Sequence, residues 1–298
     1  MLNMSPHRGE LAMRKTGLPS SQAVSPVQVI AVTGGKGGVG KTTVAINLAT
    51  QLARKRKVLL LDGDLGLANV DVFLGITPRH TLAHVLAGEC TLDDAVTETA
   101  LGFAVLPAAS GLANMAALLQ REHAGLVQAF SDLTTQVDVL LIDTAAGIGN
   151  SVLTFTQAAQ QVLVVICDEP ASLTDAYALI KVLSRDHGVT QFRVLANRSP
   201  SAGAGQRLFG KLVRVTDRFL DVVLDYVGEI PEDAYLAASV REQRPVVSTY
   251  PTSKASAALK RLAQVADTWP VAEGPRGHLE FFVERLVRRP SVRLELVR

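Results

Sequence analysis

The sequence predicts an α/β fold with a mostly parallel, doubly wound sheet, and three observations carry that prediction. Short runs rich in β-branched and aliphatic residues recur along the chain: Val29–Thr33, Val58–Asp62, Phe103–Leu106, Val137–Asp143, Val162–Cys167, Phe192–Ala196 and Val222–Val227. Most of their cores are continuously apolar rather than alternating, with Arg193 and Asp225 as interruptions in the last two, which marks strands covered on both faces. Between them lie helix-patterned stretches such as Thr42–Lys55, Ser151–Ala159 and Leu173–Arg185, long enough for the crossovers that parallel neighbours require.

Residues 1–26 are rich in Ser and Pro and show no apolar period, so they are expected to form a flexible tail. The first strand-like run follows, and directly after it stands Gly35-Lys36-Gly37-Gly38-Val39-Gly40-Lys41-Thr42, which satisfies G-x-x-x-x-G-K-[ST]. A glycine-rich turn lets backbone N–H groups converge on phosphate oxygens, and a helix N-terminus adds partial positive charge. Lys41 is expected on the β- and γ-phosphates of ATP and Thr42 on Mg²⁺, with Thr43 beside them. An ordinary phosphate loop does not need a second lysine, so Lys36 implies another anion.

The second run ends in Asp62-Gly63-Asp64 and continues through Leu65-Gly66-Leu67-Ala68-Asn69, which reads as a flexible loop. A later apolar run, Val139 to Ile142, ends in Asp143, the position from which a carboxylate supports Mg²⁺ beside a phosphate loop. Caps and turns are the plainer use of such carboxylates. Two late loops, Asn197-Arg198 and Gly228 to Asp233, follow strands at the edge where open α/β sheets bind ligands.

The full pattern Lys36-Gly37-Gly38-Val39-Gly40-Lys41-Thr42 resembles the deviant Walker A phosphate-loop ATPases of the MinD/ParA type, of the SIMIBI class. That resemblance implies that Lys36 reaches the partner's ATP across a homodimer, giving it a catalytic part. It implies that Asp64 orients the attacking water and that Thr42, Asp62 and Asp143 serve the metal. It also implies that Asn197, Arg198, Pro231 and Glu232 hold adenine and ribose. The segments Asp62–Gly75 and Asp168–Lys181 look most like the MinD-like branch that controls flagellar number and placement. In that branch the expected partners are a flagellar transcription activator or a signal-recognition-type GTPase. The motif associated with the GTPase, D-Q-A-x-x-L-R, is missing from Gly17–Ala23. Chromosome or plasmid partitioning, division-site placement and a metabolic ATP-dependent enzyme are alternatives within the same fold.

Residues 27–270 are thus expected to be the ATPase domain, and 275–298 a C-terminal amphipathic helix and tail. In the latter, Leu279, Phe282, Val283, Leu286 and Val287 form a helical apolar stripe, with Arg285, Arg288 and Arg289 clustered before Pro290. Packing on the domain and anchoring to anionic membrane through Leu279–Arg289 are both expected uses of such a helix. The formal net charge of +2 gives no whole-molecule attraction to DNA, which is disfavoured as a partner. Cys90 and Cys167 offer no disulfide framework, zinc spacing or cluster spacing, in keeping with a reducing cytoplasm. No run reaches the ~18 apolar residues of a membrane span.

Overall fold

The computed structural model describes residues 26–66, 68–108, 123–271 and 281–282. The strands are β1 (Gln28–Thr33), β2 (Val58–Gly63), β3 (Thr97–Glu98), β4 (Ala104–Leu106), β5 (Val139–Thr144), β6 (Gln161–Cys167), β7 (Gln191–Ser199) and β8 (Val223–Pro231). The helices are α1 (Lys41–Leu52), α2 (Val70–Leu74), α3 (Leu82–Leu86), α4 (Leu92–Ala95), α5 (His123–Asp132) and α6 (Asn150–Ala158). They continue as α7 (Pro170–His187), α8 (Ala204–Phe219), α9 (Ala234–Arg241), α10 (Val246–Thr249) and α11 (Lys254–Ala266).

The eight strands among the described residues join one sheet in the order β3-β4-β2-β5-β1-β6-β7-β8, parallel except for β3 against β4. This is the expected doubly wound sheet. The antiparallel β3 has no counterpart in the sequence reading, because two residues are too few to show a period. Along β5 the side chains alternate. Val139 and Leu141 join the core beneath α1 and α11, while Leu140 and Ile142 join the opposite core with Phe130 and Phe155. Both sets are fully buried, which is why the sequence shows an unbroken apolar run there.

Helix α7 starts three residues before and ends two residues after the stretch Leu173–Arg185 read above, at local signals. Pro170 opens α7 at its first turn, and Gly188, with φ of 68°, closes it in the left-handed region. Strand β1 sits between β5 and β6, so the chain winds outward from it on both sides, and β1 leads straight into the phosphate loop. The crevice at such a switch point is where the open sheet can take a ligand.

Residues 1–25 lie outside the described residues, as does the proposed C-terminal helix apart from Phe281 and Phe282. Those two correct one expectation. Phe282 is assigned above to a helical stripe; here its φ is 58°, which no α-helix contains, and both phenylalanines are 1% exposed. Their rings stand 4.3 Å and 5.5 Å from that of Phe130, within the core on the α5 and α6 side. Phe282→Glu should therefore destabilise the folded domain by ~3 kcal/mol or more, since a carboxylate there is desolvated and a ring is lost. Urea unfolding checks this. A variant as stable as the parent would return Phe282 to the surface.

Candidate functional site

The phosphate loop connects β1 to α1, and Gly40 caps the helix in the left-handed region with φ of 97°. A Cβ at Gly40 would also lie 2.4 Å from Asn197 Nδ2, so glycine is required there twice over. Helix α1 has no side-chain N-cap and no acidic residue in its first turn. Its first N–H groups thus remain available to an anion. Lys41 is 8% exposed, and its Nζ lies 3.5 Å from the carbonyl of Lys36. Burial lowers the Lys41 pKa, opposed by the charges of Asp143 and Asp64.

Parallel pairing of β2 with β5 puts Asp62 beside Asp143. Both are 1% exposed. Burial pushes the Asp143 carboxyl up to about 8; the Asp62 charge adds to the rise, and a Thr42 hydrogen bond and Lys41 oppose it. Burial likewise raises Asp62 to about 6, against hydrogen bonds from the N–H groups of Val70, Asp64 and Asn69.

Those bonds define what Asp62 does in this structure. Its Oδ1 accepts from Asp64 N at 3.1 Å, and its Oδ2 accepts from Asn69 N at 3.0 Å and Val70 N at 3.1 Å. Leu65 and Ala68 are buried as well. The loop read from sequence as flexible is therefore pinned at both ends by one carboxylate. Asp62 holds the turn, and Asp64 is carried to the wall of the cavity.

That cavity, about 620 Å³, is lined by Gly37, Gly38, Gly40, Lys41, Thr42, Thr43, Asp64, Asn69, Val72, Phe73, Thr144, Ala146, Arg198, Val240 and Gln243. A neighbouring cavity of about 450 Å³ shares Gly40, Thr43, Arg198 and Val240 and adds Asn197, Pro231, Glu232 and Asp233. Asn197, Arg198 and Pro231, expected above in loops, lie in the last residues of β7 and β8, and these strand ends meet the phosphate loop. Asn197 Nδ2 donates to Val39 O at 2.7 Å, and Arg198 Nη2 to Gly38 O at 2.8 Å. Asp233 caps two helices at once, accepting from Tyr235 N at 2.8 Å and Ala255 N at 2.9 Å.

The remaining residues of the motif, Gly35 and Lys36, turn toward α7. A Cβ on Gly35 would fall 2.2 Å from the Asp175 carbonyl, so only glycine allows this approach. Lys36 Nζ pairs with Glu169, whose hydrogen bond raises the lysine pKa and lowers that of the glutamate. Sequence reasoning missed Glu169, although it follows a strand on the same ligand-binding edge as Asp64 and Asp143. It also missed Gln243, whose Nε2 donates to Val72 O at 2.7 Å and ties α2 to the α9 end.

These residues suit a magnesium nucleotide. Asp143 Oδ1 is buried with no hydrogen-bond partner, which invites a cation or a water bound to one. No cluster of three or more His, Cys, Asp or Glu side chains poised for a metal occurs among the described residues. Mg²⁺ does not need one, because it keeps waters and phosphate oxygens among its ligands.

A family model described as an AAA domain matches residues 27–190. Over 270 residues, 90% of this chain and 96% of the relative, the sequence is 60% identical to the antiactivator FleN of Pseudomonas aeruginosa. The chain belongs to the MinD/ParA-type deviant Walker A ATPases. As a member it is an ATPase. It is also 30% identical to the flagellum site-determining protein YlxH of Helicobacter pylori, across 87% of this chain and 89% of that one. The septum site-determining protein MinD of Pyrococcus horikoshii, solved with Mg-ADP, superposes with a TM-score of 0.66 at 30% identity, covering 81% of this chain and 96% of that one.

Proposed function

We propose that this ATPase is an ATP-dependent dimerising switch that regulates flagellar number or placement through a partner, such as a flagellar transcription activator. The observation that carries the switch is the phosphate loop itself: an uncapped helix start and a buried Lys41 beside an unpartnered Asp143 oxygen, with a second lysine turned away from them. The flagellar assignment rests on the similarity to the antiactivator FleN and to the flagellum site-determining protein YlxH.

In this reading ATP phosphates lie along Gly35 to Thr43, with Lys41 neutralising charge. Mg²⁺ would be held by Thr42 and Asp143, with Asp62 supporting its shell through the turn it organises. Asn197, Arg198, Pro231 and Glu232 border the second cavity, where adenine and ribose fit. Lys36 leaves Glu169 for the partner's phosphates when two copies close. Asp64 orients water for attack on the γ-phosphorus, and hydrolysis reopens the dimer.

Asp64→Ala is expected to retain ATP binding and ATP-dependent dimerisation while turnover falls by roughly 10²-fold or more. Phosphate release and size-exclusion chromatography with ATP and ADP measure the two halves. Unchanged turnover would remove Asp64 from the chemistry, and identical elution with both nucleotides would remove the switch. The protein is expected in the cytoplasm; no helix among the described residues is long and apolar enough to cross a membrane. A peripheral membrane role through Leu279–Arg289 would require Phe282 to leave its contact with Phe130.

A further inference from the structure

Helix α8 carries a surface that the nucleotide site does not use. Leu208, Leu212 and Thr216 point inward and are buried. Arg207, Lys211, Arg214 and Arg218 are all exposed on the outer side. Their spacing is i, i+4, i+7, i+11, so they stand within about 60° of arc along about 16 Å of helix. One edge of this cationic stripe is apolar. Val215 is 44% exposed and Phe219 53%, two of the eight large apolar side chains exposed among the described residues.

The charges nearby leave the stripe mostly uncompensated. Lys211 Nζ is 3.8 Å from Asp168 across an open surface, a weak pairing. Asp217 falls by helical spacing on the flank opposite Val215 and Phe219. Arg185 adds a further cation, donating from Nη2 to Phe219 O at 3.3 Å.

We propose that the outer face of α8 docks a protein partner through an acidic helix edged by apolar side chains. A partner helix with carboxylates at the same 4-3-4 spacing can meet all four cations, while its apolar flank covers Val215 and Phe219. Arginine beside an exposed aromatic is the composition of interface centres. Two other anionic occupants fit less well. A single strand would want a free aromatic face for its bases, but the Arg218 guanidinium lies 5.2 Å from the Phe219 ring centroid, over one face; a duplex would be held through its phosphates alone and leave Val215 and Phe219 uncovered. A bilayer would want apolar groups standing beyond the cations, whereas these sit to one side and are about half exposed.

The position of α8 makes a partner there consequential. The helix begins five residues after the end of β7, whose Asn197 and Arg198 touch the phosphate loop. Its start is pinned by Glu229, which accepts from Gly203 N at 2.9 Å and Gly205 N at 2.7 Å.

The test uses the full chain and a fluorescent synthetic helix with Glu at 4-3-4 spacing beside a Leu stripe, read by anisotropy at low and high salt. The wild type should bind it, more weakly as salt rises. Arg214→Glu with Arg218→Glu should weaken binding by about tenfold or more, and Phe219→Ser severalfold. The neutral pair Arg207→Gln with Arg214→Gln should act in the same direction to a smaller extent. ATP turnover should not change in any of them, since none touches the site. The proposal fails if the wild type does not bind the peptide, or binds a Gln-for-Glu version equally. It also fails if a short DNA duplex, or vesicles of equal phosphatidylglycerol and phosphatidylcholine, bind more tightly than the peptide and lose that binding on the same charge reversal.

Discussion

Lys41→Ala should raise the dissociation constant for ATP by about 10²- to 10³-fold, whereas Lys36→Ala should leave nucleotide binding within about threefold and lose ATP-dependent dimerisation. The two lysines come from one short loop but have different surroundings. Lys41 is 8% exposed among the groups that would face the phosphates, so no solvent replaces its charge when it is removed. Lys36 is paired with Glu169 on the α7 side, with about a third of its side chain exposed, and contributes nothing to the walls of either nucleotide cavity. Isothermal titration with ADP and a non-hydrolysable ATP analogue separates binding from association, and size exclusion reads the dimer. Equal loss of binding in the two variants would sink the division of labour.

Asp143→Asn should stabilise the metal-free protein at pH 8 and abolish Mg²⁺-dependent turnover by roughly 10²-fold or more. Burial and the neighbouring Asp62 push the Asp143 carboxyl up to about 8 in the folded protein. In the unfolded chain an aspartate titrates at about 3.9. Between those values the folded state binds more protons than the unfolded state, so wild-type stability falls as pH rises from about 4 to about 8. The amide cannot ionise, and at pH 8 the variant should gain on the order of 2–4 kcal/mol in metal-free buffer, with little difference near pH 4. Urea titrations at the two pH values, with EDTA and then with Mg²⁺ and nucleotide, check the sign. A variant less stable than the parent at pH 8 would mean that the carboxylate charge is compensated in the apo protein, and the metal role would lose its physical basis.

Most of the sheet is legible in the sequence because parallel strands buried on both faces need unbroken apolar runs, and Val139–Ile142 shows one clearly. The predicted run Val137–Asp143 nevertheless begins two residues early: Val137 is buried but lies outside the ladder, so hydropathy marks burial more sharply than pairing. The phosphate loop is legible for a different reason. Its geometry needs glycine at fixed positions, so backbone conformation leaves a mark in residue identity, as at Gly40. Phe282 misleads by the same logic, because an i, i+3, i+4 pattern records which residues are apolar and not whether the backbone between them is helical.

The order of strands and loops, the phosphate loop and the carboxylates at strand ends thus follow from local pattern, since each depends on residues within a few positions of one another. The partners of those groups do not. Lys36 meets Glu169 across 133 positions, and Asn197 reaches Val39 across 158. Asp62 and Asp143 become neighbours only through the β2–β5 register, which no short window contains. The cationic face of α8 divides in the same way. Its spacing can be read from the sequence, but its exposure depends on which side of the helix the sheet covers, and that is settled by the packing of Leu208 and Leu212 against a core assembled from distant strands.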